Sequence, residues 1–324
     1  MNEAFRRICA MPASVWIATG FFVACAIIVP RFFTPGNLEN VVRITAILAI
    51  VSCGQAIVLI LGGIEFSFGS SVALASVVAA MLLPSYGTAA AFAAALLTVL
   101  AVSLANASLV AFMRLPAVIV TLGTLMIAHG LAASLAGGLP VDAIPNEFFK
   151  WPASGKILWI SAPVWLAALA LSSLALILAK SSLGRRFILV GANSEAARLA
   201  GIEVARTKFL GYVLAGIYCG AAAIVLTSRV GSGQPNLMPD LPFQTIAACA
   251  IGGIPLTGGR GSALQVLAGV AVIAMLNNAV VLLNYPAATQ LLLTAAVIVG
   301  SVAVQSWRIG SFGALLPGMR GASR

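Results

Sequence analysis

The 324-residue chain is 61% hydrophobic and only 8% charged, with a formal net charge of +10 and a mean hydropathy of +1.09. So few charges cannot cover a soluble body of this length. The composition therefore excludes a soluble globular fold and predicts an all-α polytopic transmembrane helical bundle. The positive balance needs no nucleic acid, because basic loops on the inner face of a membrane account for it.

In chain order, apolar segments fall near residues 12–30, 43–61, 69–83, 89–112, 118–136, 161–179, 207–228, 241–256, 263–283 and 289–305. A helix needs roughly 20 apolar residues to cross a bilayer. The third segment is short before Pro84, and the eighth, from Phe243 to Ile254, is too short for a simple span and ends in glycines. The eighth is expected to be a broken or re-entrant element lining a cavity. The first segment follows Arg6 and Arg7 and contains Ala24-Cys25-Ala26, which has the form of a signal-cleavage site. It runs on long enough to span, and we read it as an uncleaved first helix.

Basic residues set the orientation. With about ten spans and both termini cytoplasmic, Arg31, Arg43, Lys150, Lys156 and Arg229 lie outside, and the other thirteen of the 18 Lys and Arg lie inside. The longest outer loop, 137–160, carries Asp142, Glu147, Trp151 and Trp159. The longest inner loop, 180–207, holds the one charged, helix-competent island. The other connections are short, so residues 1–324 are expected to form a single transmembrane domain.

Two glycine-rich turns follow apolar runs. The first holds Gly62, Gly63, Glu65 and Ser67; the second holds Gly252, Gly253, Gly258 and Gly259. Their spacing does not match an inverted repeat of two five-span halves, and they read as two similar turns. Glu65 is expected at the inner surface, where Ser67 can cap the next helix. It serves there either as a structural cap or as a pathway or subunit contact. An unpaired carboxylate at the membrane centre would cost about 2.5 kcal/mol or more.

Uncharged polar residues lie in or near the spans: Gln55, Asn106, Thr121, Thr124, Gln244, Asn277 and Asn278. Amides and hydroxyls bind sugar hydroxyls without ionising, and equally they hold helices together at about 0.6–2 kcal/mol each. His129, the single histidine, serves packing, pore lining or, with no carboxylate in its span, least readily a proton relay. Cys9, Cys25, Cys53, Cys219 and Cys249 form no CxxC pair and read as small buried hydrophobes. No metal site, phosphate-binding Walker loop, HExxH or GxSxG motif appears, so neither catalysis nor ATP hydrolysis is expected of this chain, and no cofactor.

The island is Gly191-Ala192-Asn193-Ser194-Glu195-Ala196-Ala197-Arg198-Leu199-Ala200-Gly201-Ile202. Asn193 or Ser194 can cap a helix, Glu195 suits its positive end, alanines extend it and Gly201 ends it. The expectation is a short helix along the inner face, its small side chains admitting a partner and Glu195 and Arg198 giving polar handles. Glu195-Ala196-Ala197 with Gly201 resembles the EAA signature of ABC importer permeases. Gly191 and Asn193 with Gly201-Ile202 resemble the branch that carries ribose and related sugars. Gly62 to Ser70, Thr121-Leu122-Gly123-Thr124, Gly137 to Val141, Gly252-Gly253, Gly258-Gly259, Gly261 and Asn277-Asn278 resemble further blocks of that branch in order. The chain departs from it with Glu65 where Asp is usual and His129 where many members carry Arg. It also lacks the Leu-Pro that follows the EAA block in many other importer permeases, which the ribose branch often lacks too.

The resemblance implies alternating access in a bacterial inner membrane. A periplasmic or lipoprotein solute-binding protein would dock on loops 137–160 and 229–242. A second permease subunit would complete the path through the surrounding membrane lipid. Cytoplasmic ABC ATPase subunits would grip Gly191, Asn193, Glu195, Ala196, Ala197, Arg198 and Gly201. The alternative function is an ion-coupled secondary transporter of a small polar solute.

Overall fold

The computed structural model describes residues 12–143 and 145–308. Arg6, Arg7, Arg320 and Arg324, counted above for orientation, and Cys9, read above as a small buried hydrophobe, lie outside the described residues. The apolar segments form helices α1 (Ala13–Ile28), α2 (Pro35–Ile60), α3 (Phe68–Ala111), α4 (Ala117–Ala136), α6 (Ala162–Lys180), α9 (Val204–Val230), α10 (Leu241–Gly252), α11 (Ala263–Leu282) and α12 (Ala287–Arg308). Six of them, α2, α3, α4, α6, α9 and α11, are long and apolar enough to cross a membrane, and three shorter apolar stretches accompany them.

Helix α3 is 44 residues long. Straight, it would run about 66 Å, roughly twice the thickness of a hydrocarbon core. It is broken at Gly87, whose φ of 77° and ψ of 176° are not helical, three residues after Pro84. The break lies between the third and fourth apolar segments of the sequence. Helix α2 stands at the centre of the bundle: residues 46–61 are buried without interruption, so its apolar residues show no face. It packs against α9 where Gly54 meets the backbone of Ala215 and Gly211 meets Leu61, the close approach that small residues permit between membrane helices.

The loops at one end hold structure that the sequence did not announce. In the 137–160 region, strand β1 (Val141–Asp142) pairs antiparallel with β4 (Ser232–Gly233), and β2 (Lys156–Ile157) pairs with β3 (Ile160–Ser161). Helix α5 (Glu147–Ser154) is capped by Asn146, whose side chain accepts the Phe149 amide at 2.8 Å. Glu39 pairs with Arg43 and Lys156 there, at 2.9 and 3.1 Å. At the opposite end, the 180–207 loop is two short helices, α7 (Ser182–Ala192) and α8 (Ser194–Leu199).

Two non-helical segments reach into the bundle from opposite ends. Residues 61–67 follow α2 and residues 231–240 follow α9, and each leads into a new helix. Helices α2 and α9 run antiparallel, since Leu61 near the end of α2 lies against Gly211 near the start of α9. The helices that follow meet at their first turns, where Gly69 packs on the Met238 carbonyl and the Pro242 ring and Phe66 lies on Phe243 at 5.8 Å between ring centroids. This is an inverted arrangement of two broken elements, the form used where transporters build midplane sites. The segment opposed to 61–67 in this arrangement, 231–240, carries no Gly-Gly pair.

Candidate functional site

The island folds as its residues dictate. Asn193 caps α8, its side-chain Oδ1 accepting from the backbone amides of Glu195 at 3.0 Å and Ala196 at 2.9 Å. Gly201, at φ 81°, ends it: its amide donates to Arg198 O and the Ile202 amide to Ala197 O, both at 3.0 Å. That paired closure is a Schellman motif, and φ there is favourable only for glycine. Glu195 and Arg198 form a two-pronged exposed ion pair. The Arg198 guanidinium holds the Glu195 carboxyl below the usual carboxylate range. Ala197 is buried beneath the helix while Leu199 faces outward. Between α8 and the ends of α3 and α9 lies a hollow of about 540 Å³ edged by Arg114, Glu195, Arg198 and Lys208.

Behind α8 four glycines form a node. A Cβ on Gly191 would overlap the carbonyl of Ile60, and Gly258 presses on Gly62. Gly259 donates its amide to Ile60 O at 2.9 Å and lies against Ala192. The two glycine turns that look alike in sequence are therefore in contact, and α7 and α8 hang from their junction. Gly252 and Gly253 close α10, the latter at φ 90°, and stand against Gln265 of α11.

Glu65, expected at the inner surface, is inside the bundle, 1% exposed. The Ser67 amide and hydroxyl donate to its Oε1 at 2.8 and 2.6 Å, and Asn106 Nδ2 donates to Oε2 at 3.0 Å. Ser67 stands at the N-cap of α3 without capping it, its hydroxyl being spent on Glu65. Thr121 ties α4 to the same segment by donating to Ile64 O at 3.1 Å. Tyr212, which nothing in its sequence neighbourhood marks, brings its buried hydroxyl against Gly63. That hydroxyl has no hydrogen-bond partner among the described residues.

The other polar candidates lie apart from one another. Asn277 Nδ2 donates to Gln244 Oε1 at 3.1 Å, and Gln244 Nε2 to Asp240 at 2.6 Å. Asn278 pairs reciprocally with Asn37, at 2.8 and 3.0 Å, joining α11 to the start of α2. Gln55 is fully buried, and neither of its amide atoms has a partner among the described residues. Thr124 bonds only to its own helix, at Val120 O and Thr121 O. His129 is exposed on α4 and lines a pocket with Asn236. Asn236 was missed because nothing in a Pro-rich loop marks a residue that folds back into the bundle. The nearest signal is the pair Pro235 and Pro239 bracketing it. No cluster of His, Cys, Asp or Glu able to hold a metal is present among the described residues.

A bundle of long apolar helices broken by two opposed re-entrant segments, with a capped polar helix at one end, defines the class: a membrane permease. Residues 37–302 match the family described as branched-chain amino acid transport system / permease component. The chain is 34% identical over 284 residues to the L-arabinose transport system permease protein AraH of Escherichia coli K12, covering 87% of this chain and 86% of that one. It is 32% identical over 281 residues to the ribose import permease protein RbsC of the same strain, covering 86% and 88%. Against RbsC of Bacillus subtilis it is 33% identical over 282 residues, again covering 86% and 88%. The chain belongs to this family of ABC importer permeases and is a multi-pass inner-membrane protein.

Proposed function

We propose that the chain forms the membrane pathway of a sugar importer, driven by ATP hydrolysis on separate cytoplasmic subunits. The observation that carries this reading is α8: an exposed, doubly capped helix fixed to a glycine node that joins the ends of α2, α7 and the loop before α11. A partner pushing on α8 moves that node, and the node sits at the foot of the 61–67 segment and beside the turn that follows α10. Coupling of this kind requires α8 to make different contacts in the two end states.

In this reading ten segments cross the membrane, α3 counting twice across Gly87, and both termini are cytoplasmic. Among described residues with described side chains, Arg114, Lys180, Arg185, Arg186, Arg198, Arg206, Lys208 and Arg260 gather at the α8 end. Arg31, Arg43, Lys150, Lys156 and Arg229 gather at the hairpin end. That asymmetry makes the α8 end cytoplasmic, and a solute-binding protein docks on the hairpins and α5. Helix α4 supports a second permease subunit: only Val120, Thr121, Ala128 and Ala132 on it are buried. Its remaining surface would complete the path in a dimer. Sugar is favoured because AraH and RbsC are named for L-arabinose and ribose.

The test is reconstitution. With its ATPase and binding protein in liposomes, the chain should accumulate L-arabinose or D-ribose only when ATP is supplied. Alone it should accumulate neither. Uphill uptake by the chain alone on a proton or sodium gradient would overturn the reading.

A further inference from the structure

We infer that the pocket where the two broken elements meet is a transit site for a neutral polyhydroxylated solute, bound through Asn236 and His129. This rests on the import reading above and names the chemistry of its path. The pocket measures about 240 Å³ and lies between the first turns of α3, the middle of α4 and the 234–240 segment. Ligand pockets for drug-sized molecules begin at about 300 Å³, and this one is of a size to seat a single sugar ring.

Its lining decides the solute class. Gly69, Ser70 and Ala73 of α3 and Leu125 and His129 of α4 face Asn236 across it, and no Asp, Glu, Lys or Arg lines it. The Ser70 hydroxyl donates to Ser67 O at 2.9 Å, within α3's own first turn. The Asn236 amide and the His129 imidazole make no hydrogen bond or ion pair among the described residues, and both residues are exposed and line the pocket. An amide offers donors and acceptors together, and an imidazole presents two ring nitrogens able to bond to hydroxyls. That pattern complements vicinal hydroxyls, while Leu125 and Ala73 supply an apolar surface for a sugar's C–H face. An amino acid would need its carboxylate and ammonium both compensated, and a charge taken out of water unpaired is strongly penalised. The pocket has no fixed charge to meet either one, so its chemistry sides with the sugar permeases rather than with the amino-acid label of the wider family.

The experiment uses the full complex of permease, ATPase and binding protein in proteoliposomes, with L-arabinose, D-ribose and L-leucine as probes. Asn236→Leu and His129→Phe should each cut uptake of the transported sugar by about tenfold, the loss of one solute hydrogen bond, while ATPase co-purification and ATP turnover persist. His129→Gln, which keeps a donor and an acceptor, should restore most of the uptake. For a variant that fails to assemble, Asn236→Cys replaces it: a membrane-impermeant thiol reagent should then block uptake, since the described native cysteines are buried. Sugar uptake within about twofold of the parent in the assembled Leu and Phe variants, or unblocked uptake in the labelled Cys variant, would overturn the transit site and leave the import reading standing. A parent complex that moves only L-leucine would overturn both.

Discussion

The carbonyl oxygen of Ile60 and the α-carbon of Gly191 approach so closely that a methyl group between them would overlap the oxygen. The same carbonyl accepts the Gly259 amide at 2.9 Å, so it cannot swing away without losing that bond. Gly191→Ala is therefore expected to force α7 off the node. Overpacking of this kind costs typically 1–3 kcal/mol, and backbone on both sides places this case toward the upper end. Thermal unfolding of the detergent-purified complex would show a lowered midpoint, and uptake would fall further than stability alone requires. A midpoint and an uptake rate both unchanged would mean that the contact relaxes freely.

Glu65 satisfies three donors at once, two from Ser67 and one from Asn106. Glu65→Leu would leave the Ser67 amide and hydroxyl buried without an acceptor, and the Asn106 amide with the Ser67 hydroxyl oxygen alone at 3.0 Å, at about 1–3 kcal/mol for each group left unsatisfied. Glu65→Gln is expected to be far milder. Its carbonyl still accepts from Ser67, and its amide can donate to Asn106 Oδ1, which has no partner among the described residues and can be turned to face it. Size-exclusion profiles of the two variants after a heating series separate these outcomes. Equal loss in both would show that negative charge, rather than acceptor count, is what the segment needs.

Composition alone made the bundle legible, because an apolar run of sufficient length has few other fates. The α8 helix was legible because its caps are local: Asn193 and Gly201 act on amides two or three residues away. The re-entrant segments were not, since 61–67 and 231–240 share shape but not sequence. What makes each one stable is distant, as in the contact of Gly69 with Met238 and Pro242. The burial of Glu65 was hidden for the same reason, its third donor Asn106 coming from far along α3. Asn278 and Asn37 are separated by 241 residues, and nothing in either neighbourhood points to the other.

That amide pair gives a clean pairwise test. Asn37 and Asn278 each donate to and accept from the other, so Asn37→Leu and Asn278→Leu should each destabilise the complex, and the double variant should lose less than their sum. Interhelical polar contacts in membranes are worth about 0.6–2 kcal/mol, and a coupling energy of that size is expected from a double-mutant cycle. Additive losses would show that the two amides act independently.

The last prediction concerns α8. Replacing Glu195 with Ala removes the partner of Arg198, and replacing Gly201 with Val puts a β-branched residue at φ 81°, where a left-handed conformation costs L-residues about 1–2 kcal/mol. The double variant should insert and keep its bundle, since neither exposed Glu195 nor Gly201 is part of its core, yet bind the ATPase poorly and lose most ATP-driven uptake. Acid should not imitate it until well below neutrality. The Glu195 carboxyl is held low by Arg198, so the pair is present above the ordinary carboxylate value of about 4.3 and is lost only as pH falls through the depressed value. Uptake and ATPase co-purification should therefore be level from pH 6 to 8 with respect to this pair, and salt should weaken the exposed pair more than this pH change does. ATP-driven uptake that survives the double substitution would remove α8 from the coupling path and place the ATPase contact elsewhere on the α8 end, with the hollow edged by Arg114 and Lys208 next in line.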